Sequence, residues 1–151
     1  MFKITPWLYI GKYRETRNKH LLDSYKITAM LQMANPVTYP DITSLYLPVE
    51  DGVPLSASLL RQGVDFVVTE KEQGRTILIA CGAGISRSST FATAALKELD
   101  SSDLLTALQT VRDHHPQALP HPALWKSLCR YYNEDIAFND IFIRSTRSNL
   151  E

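Results

Sequence analysis

The chain has 151 residues, of which 44% are apolar and 21% charged, as is typical of one globular domain with its own core. The 16 basic and 16 acidic residues cancel, so no overall field draws the protein to nucleic acid or to an anionic membrane. Two cysteines are too few for a disulfide framework, and the sequence shows no signal-peptide pattern and no long apolar segment. We therefore expect a cytoplasmic protein that binds any anion at a local site.

The first half of the chain alternates short apolar runs with turn residues. Residues 2–10 predict an edge strand that ends at Gly11, because Pro6 cannot donate a hydrogen bond within a central strand. The following segments predict a short helix at 15–24, a strand at 27–33, a loop at 34–44 and a strand at 45–49. A loop with Asp, Gly and Pro then leads into the second half.

The second half predicts one buried strand among four helices. Residues 56–72 predict a helix, because Leu60, Val64 and Val67 lie on one apolar stripe. The continuous apolar run at 76–80 is typical of a central strand that is covered on both faces. Three helices are expected after it: one at 87–99, one that is capped by Ser101 or Ser102 and ends before Pro116, and one that begins at Pro122.

This order of elements indicates an α/β fold, a single domain with a central, mostly parallel mixed sheet flanked by helices. We place the domain at residues 1–135 and a C-terminal tail at 136–151, where the pattern weakens. The sequence leaves open whether this tail is an added strand, an ordered extension or a contact for a partner.

The segment that carries chemistry lies between the buried strand and the helix at 87–99, where open α/β sheets bind their ligands. Its glycines permit backbone conformations in which successive N–H groups face an anion, and the helix adds its positive N-terminal end. A phosphate group is the natural occupant. The predicted phosphate-binding residues are Gly82, Ala83, Gly84, Ile85, Ser86 and Arg87.

Three side chains of this segment are candidate catalytic groups. Cys81 begins it, and because only the thiolate is nucleophilic, the surrounding N–H groups and Arg87 favour its reactive form. The Arg87 guanidinium can hold two phosphate oxygens at once and stabilise charge on them in the transition state. The hydroxyl of Ser88 is placed to hydrogen-bond the sulfur when the thiolate leaves in a second step.

This segment resembles the Cys-x5-Arg-Ser/Thr signature of the protein tyrosine phosphatase superfamily, and more narrowly that of the atypical dual-specificity phosphatases. Residues 6–11 look like the opening strand of these domains, and 47–51 look like their general-acid loop. Residues 107–128 resemble their closing segment. The resemblance covers roughly residues 4–135 and implies a protein tyrosine phosphatase-like fold.

The resemblance also implies a mechanism that needs no metal and no cofactor. Asp51 would protonate the leaving group and later activate the water that attacks a cysteinyl-phosphate, with Glu50 as the rival acid. Two positions depart from the family. Ala80 stands where the histidine before the cysteine supports the loop in relatives, which predicts weaker thiolate stabilisation and slower turnover. His121 stands where relatives often carry Asn, and it caps a helix or orients the loop or a water. We expect His114 and His115 simply to end a helix, where imidazolium suits the dipole.

The predicted function is therefore a cysteine-dependent phosphomonoester hydrolase. Because the chain lacks the extensions that build a deep phosphotyrosine slot, we expect phosphotyrosine and also phosphoserine or phosphothreonine in phosphorylated proteins or peptides. We expect a monomer with no nucleic-acid or membrane partner. Two alternatives stay open: a rhodanese-type sulfurtransferase, which needs no general acid, and a non-catalytic phosphate-binding module.

Overall fold

The computed structural model describes residues 1–143 and contains one five-stranded sheet. Its strands lie in the spatial order β1-β2-β5-β3-β4, in which β1 and β2 are antiparallel and the other three pairs are parallel. The predicted mostly parallel mixed sheet is thereby confirmed. The strands are β1 (Phe2–Thr5), β2 (Leu8–Lys12), β3 (Ala29–Gln32), β4 (Thr43–Tyr46) and β5 (Ile77–Cys81).

Helices cover the sheet. They are α1 (Tyr13–Thr16), α2 (Lys19–Ser24), α3 (Ala57–Glu72), α4 (Arg87–Asp100), α5 (Leu104–His114) and α6 (Pro122–Tyr132). The larger core lies between one sheet face and helices α3 to α6, and a smaller apolar cluster lies on the other face. The predicted apolar stripe of α3 is confirmed, because Leu60, Val64 and Val67 are all buried. No helix among residues 1–143 combines the length and the apolar character needed to cross a membrane.

Strand β5 is the centre of the sheet and carries the candidate nucleophile at its end. It pairs with β2 on one side and β3 on the other, and all five of its residues are buried. Its side chains alternate between the faces, as those of any strand do. Ile77, Ile79 and Cys81 therefore belong to the larger core, whereas Leu78 and Ala80 belong to the smaller cluster.

The N-terminal edge differs from the prediction. Residues 2–10 form a hairpin of two strands rather than one edge strand, and Pro6 lies in the turn between them. Gly11 does not end the strand. It lies within β2, paired with Ala80 of β5, so β2 is an interior strand and β1 forms the edge.

Other boundaries also differ from the prediction. The helix expected at 15–24 is two helices, α1 and α2, and β4 ends at Tyr46 rather than at residue 49. Strand β4 begins at Thr43 rather than at residue 45, because its parallel pairing with Ala29 of β3 sets where it starts. Helix α5 is capped by Asp103, whose side chain accepts a hydrogen bond from the Thr106 N–H, and not by either serine. Ser101 instead ends α4 in the left-handed conformation, with φ of 52°.

The first part of the predicted C-terminal tail packs against the domain. Ile136 and Phe138 contact the larger core, and Ile141 is 3% exposed within it. The Trp125 indole N–H donates to the Ile136 carbonyl at 3.0 Å. Residues up to 141 therefore contribute to the same core, while residues 144–151 of the predicted tail lie outside the described part of the chain.

Candidate active site

Cys81 lies at the carboxyl end of β5 and directly below the first turn of α4. The residue is 2% exposed and belongs to the larger core. The Cys81 Sγ is 3.3 Å from the Ser88 Oγ, which is within hydrogen-bond distance for sulfur. The structure thus brings together the predicted nucleophile and the predicted hydroxyl partner, and Ser88 is itself fully buried.

On the helix side of the loop, two carbonyl groups are held by hydrogen bonds from groups outside residues 82–87. The Ile85 carbonyl accepts from the Leu119 N–H at 3.1 Å and from the Ser89 hydroxyl at 2.6 Å. The Ser86 carbonyl accepts from the Thr90 N–H at 3.0 Å, as the first backbone bond of α4. These bonds fix the direction of both carbonyls.

On the sheet side of the loop, two further carbonyls are fixed in the same way. The Gly82 carbonyl accepts from the Tyr13 N–H at 3.4 Å, and the Gly84 carbonyl accepts from His115 Nε2 at 2.8 Å. In a trans peptide, the N–H of the next residue points away from the carbonyl oxygen. Because the four carbonyls of residues 82, 84, 85 and 86 are held by hydrogen bonds, the directions of the N–H groups of residues 83, 85, 86 and 87 are fixed as well.

Gly84 occupies a position that requires glycine. Its φ is +69°, in the left-handed region that other residues rarely adopt. A Cβ at this position would lie 2.9 Å from the carbonyl oxygen of Gly11 in β2. The loop therefore packs directly on the backbone of β2, and the absence of a side chain allows that approach.

Arg87 is the first residue of α4, and its guanidinium is held by backbone carbonyls. Its Nη1 donates to the Val49 carbonyl at 2.9 Å and to the Met33 carbonyl at 3.3 Å. Its Nη2 would lie 3.2 Å from a Cβ on Gly82, so the guanidinium is beside the loop at 82–87. The arginine is thus oriented by groups of the protein itself.

Asp51 lies in the exposed loop that precedes α3. Its side chain contacts the candidate phosphate-binding loop at residues 82–87. Its Oδ1 accepts a hydrogen bond from the Ser86 hydroxyl at 2.7 Å. The same Ser86 oxygen accepts from the His121 backbone N–H at 2.9 Å. Glu50, the other candidate acid, is exposed in the same loop, but it is Asp51 that the Ser86 hydroxyl binds.

The two positions that depart from the family pattern have different environments. Ala80 is buried in the smaller cluster, on the sheet face opposite to Cys81, so it offers nothing to the loop. His121 caps α6, because its Nδ1 accepts from the Ala123 N–H at 3.0 Å. A Cβ at Gly52 would be 3.6 Å from the His121 Nε2, so the ring also lies beside the loop that carries Asp51.

His115 is a residue of this site that the sequence did not indicate. It was expected only to end a helix, but it is 2% exposed and its ring contacts the Gly84 carbonyl. The sequence indicates the end of α5 at His115, because Pro116 follows it. It does not indicate the contact with Gly84, because that contact joins residues 31 positions apart and depends on tertiary packing.

Comparison with known families identifies the class of this domain. A sequence model described as dual specificity phosphatase, catalytic domain, matches residues 8–134. The chain belongs to this family, which confirms the resemblance drawn from the loop. The described fold agrees with that of human DUSP28, whose crystal structure matches with a TM-score of 0.79 at 24% identity, covering 87% of this chain and 94% of that one.

Individual relatives carry the same family name but differ in length. Dual specificity protein phosphatase 18 of Pongo abelii is 33% identical over 137 residues, which cover 85% of this chain and 71% of that protein. Dual specificity protein phosphatase 5 of Rattus norvegicus is 27% identical over 136 residues, covering 87% of this chain. The chain spans only 35% of the length of that rat protein.

Proposed function

We propose that this protein is a cysteine-dependent protein phosphatase that hydrolyses phosphate monoesters through a cysteinyl-phosphate. The observation that carries the proposal is the loop at 82–87, which directly follows Cys81 and in which four carbonyls are held by hydrogen bonds from outside the loop. Such a loop binds a phosphate dianion through backbone N–H groups and the positive end of α4. The family membership of the chain supports the phosphatase over the sulfurtransferase alternative.

In the first step, the Cys81 thiolate attacks phosphorus while the ester P–O bond breaks in line with it. The N–H groups of the loop and the Arg87 guanidinium hold the three equatorial oxygens, on which charge collects in the transition state. Asp51 gives its proton to the leaving oxygen, which departs as an alcohol or a phenol. Its hydrogen bond to Ser86 keeps the carboxyl group beside the loop.

In the second step, water replaces the sulfur on phosphorus. Asp51, now ionised, takes a proton from the attacking water, and the S–P bond breaks to release inorganic phosphate. The electron pair returns to Cys81 as a thiolate. The Ser88 hydroxyl, 3.3 Å from the sulfur, donates a hydrogen bond to this thiolate and makes it a better leaving group.

The substrate class follows from the exposure of the acid loop. Asp51 and its neighbours Gly52 and Val53 are exposed, so we propose a shallow site that accepts phosphotyrosine and also phosphoserine or phosphothreonine. The equal numbers of acidic and basic residues support a phosphoprotein or phosphopeptide substrate over a nucleic acid or a membrane lipid. We propose that the protein acts as a monomer in the cytoplasm and uses no metal and no cofactor.

The experiment that tests this function is hydrolysis of p-nitrophenyl phosphate with EDTA present. We expect wild type to be active, Cys81→Ser to lose at least about a thousandfold in kcat, and the matched Cys129→Ser control to stay active. Asp51→Asn should lower kcat by about a hundredfold or more for an alkyl phosphate. The same variant should lose less with p-nitrophenyl phosphate, because its leaving group needs little protonation. Activity that survives Cys81→Ser, or that requires added metal, contradicts the proposal.

A further inference from the structure

The side chain of His115 makes a contact that the proposed chemistry does not use. The residue follows α5, is 2% exposed, and places its Nε2 at 2.8 Å from the Gly84 carbonyl oxygen. A carbonyl oxygen only accepts, so Nε2 of the ring carries a proton that it donates. Its Nδ1 has no hydrogen-bond partner among residues 1–143. The hydrogen bond to the Gly84 carbonyl is therefore the contact that satisfies a polar atom of this buried imidazole ring.

The ring is also held from its face. Phe2 of β1 stacks on His115 with ring centroids 3.7 Å apart and an angle of 9° between the planes. This stacking leaves the ring edge free to carry the hydrogen bond, and it restricts the direction in which Nε2 points. The imidazole is thus oriented by β1 and α5 toward one peptide of the phosphate loop.

That peptide has no comparable support from β5. The residue before Cys81 is Ala80, whose methyl group lies in the smaller cluster on the other face of the sheet. The carbonyls of Gly82 and Ile85 accept backbone N–H groups from Tyr13 and Leu119, which substitution of side chains does not remove. The carbonyl of Gly84, the residue with φ of +69°, depends instead on a side chain.

We propose that His115 is a positioning residue for the phosphate loop. By donating its Nε2–H to the Gly84 carbonyl, it holds the following N–H, that of Ile85, turned toward the bound oxyanion. The imidazole thereby sets how tightly the loop binds the phosphoryl group in the transition state. This inference rests on the proposed function for the identity of the anion, but the hydrogen bond can be tested without turnover.

The test measures the affinity of the full-length chain for inorganic tungstate by titration calorimetry. His115→Leu is expected to weaken tungstate binding by roughly tenfold, the effect of one buried hydrogen bond. His115→Gln, whose amide N–H can reach the same carbonyl, should restore affinity to within about threefold of wild type. The matched control is His114→Leu, because His114 is exposed and its Nδ1 contacts the Thr110 carbonyl of its own helix; this variant should bind tungstate as wild type does.

Two results overturn the inference: a folded His115→Leu variant that binds tungstate as well as wild type, or a Gln variant that binds as weakly as Leu. If thermal melting shows that His115→Leu does not fold, the Gln and Asn variants decide. The shorter Asn side chain cannot reach the Gly84 carbonyl. If His115→Gln and His115→Asn bind tungstate with equal affinity, the inference is contradicted. A wild type that binds tungstate but hydrolyses no p-nitrophenyl phosphate would refute the proposed function and leave the His115 comparison valid.

Discussion

Replacing Gly84 by alanine should damage both the stability of the domain and its anion site. A residue other than glycine at φ of +69° costs about 1–2 kcal/mol in the left-handed region. The new Cβ would also lie 2.9 Å from the oxygen and 3.0 Å from the carbon of the Gly11 carbonyl. Strand β2 cannot move away easily, because it is paired on both sides. Overpacking of this kind costs roughly a further 1–3 kcal/mol.

Gly74 provides the matched control. It has φ of +78°, close to that of Gly84, but apart from its neighbours in the chain no atom of residues 1–143 would lie within 4 Å of a Cβ there. Gly74→Ala should therefore show only the conformational cost, about 1–2 kcal/mol. It should also leave catalysis unchanged, because this glycine lies in the turn before β5, whereas the loop follows the other end of that strand.

The two variants are compared by urea unfolding and by kcat/KM for p-nitrophenyl phosphate. We expect Gly84→Ala to be the less stable of the two and to lose at least about a hundredfold in kcat/KM, since the loop moves off β2 and its N–H groups lose their alignment. If both variants lose the same free energy of unfolding and keep the same activity, then the close approach of the loop to β2 is not what positions the anion site.

Two further predictions concern the thiols and the helix layer. Burial raises the pKa of the Cys129 thiol, so iodoacetamide at neutral pH should modify Cys81 first and abolish activity. Inorganic phosphate should slow the modification of Cys81. If mass spectrometry finds that Cys129 is labelled first, the prediction is contradicted. Burial alone would raise the pKa of Glu98, but hydrogen bonds from Arg61 and Tyr132 outweigh it and hold the pKa below its usual value. Its stabilising effect is therefore complete above the unfolded pKa and disappears as pH falls through the lower folded one. Glu98→Gln should cost about 1 kcal/mol at pH 7, and its difference from wild type in urea unfolding should shrink below about pH 4; a constant difference argues against the network.

Much of the fold was predictable because its elements carry their own pattern. Strand β5 is a continuous apolar run, and α3 has one apolar stripe, so neither depends on distant residues for its recognition. The hairpin at the N-terminus was missed because Pro6 and Trp7 look like an interruption in one strand. Strand β4 starts where its pairing with β3 begins, and a register of this kind is not written in the strand's own residues.

The candidate site also has a part that could be predicted from the sequence and a part that could not. The candidate loop residues 82–87 are consecutive in sequence, so their spacing alone was enough to predict an anion site next to a nucleophile. The supporting contacts join distant segments: Ser86 binds Asp51 across 35 positions, and Gly84 binds His115 across 31. Such contacts depend on how helices pack on the sheet, which a pattern along one chain does not specify.

The central claim is that the phosphoryl group passes through the sulfur of Cys81. It is tested most directly by stopping turnover of p-nitrophenyl phosphate with acid, digesting the protein and locating the added phosphoryl mass by mass spectrometry. The mechanism predicts this added mass on the peptide that contains Cys81. In a control with a low concentration of inorganic phosphate in place of the ester, the added mass should be absent. A phosphoryl group found on any other side chain, or sustained turnover with Cys81 never modified, would contradict the claim.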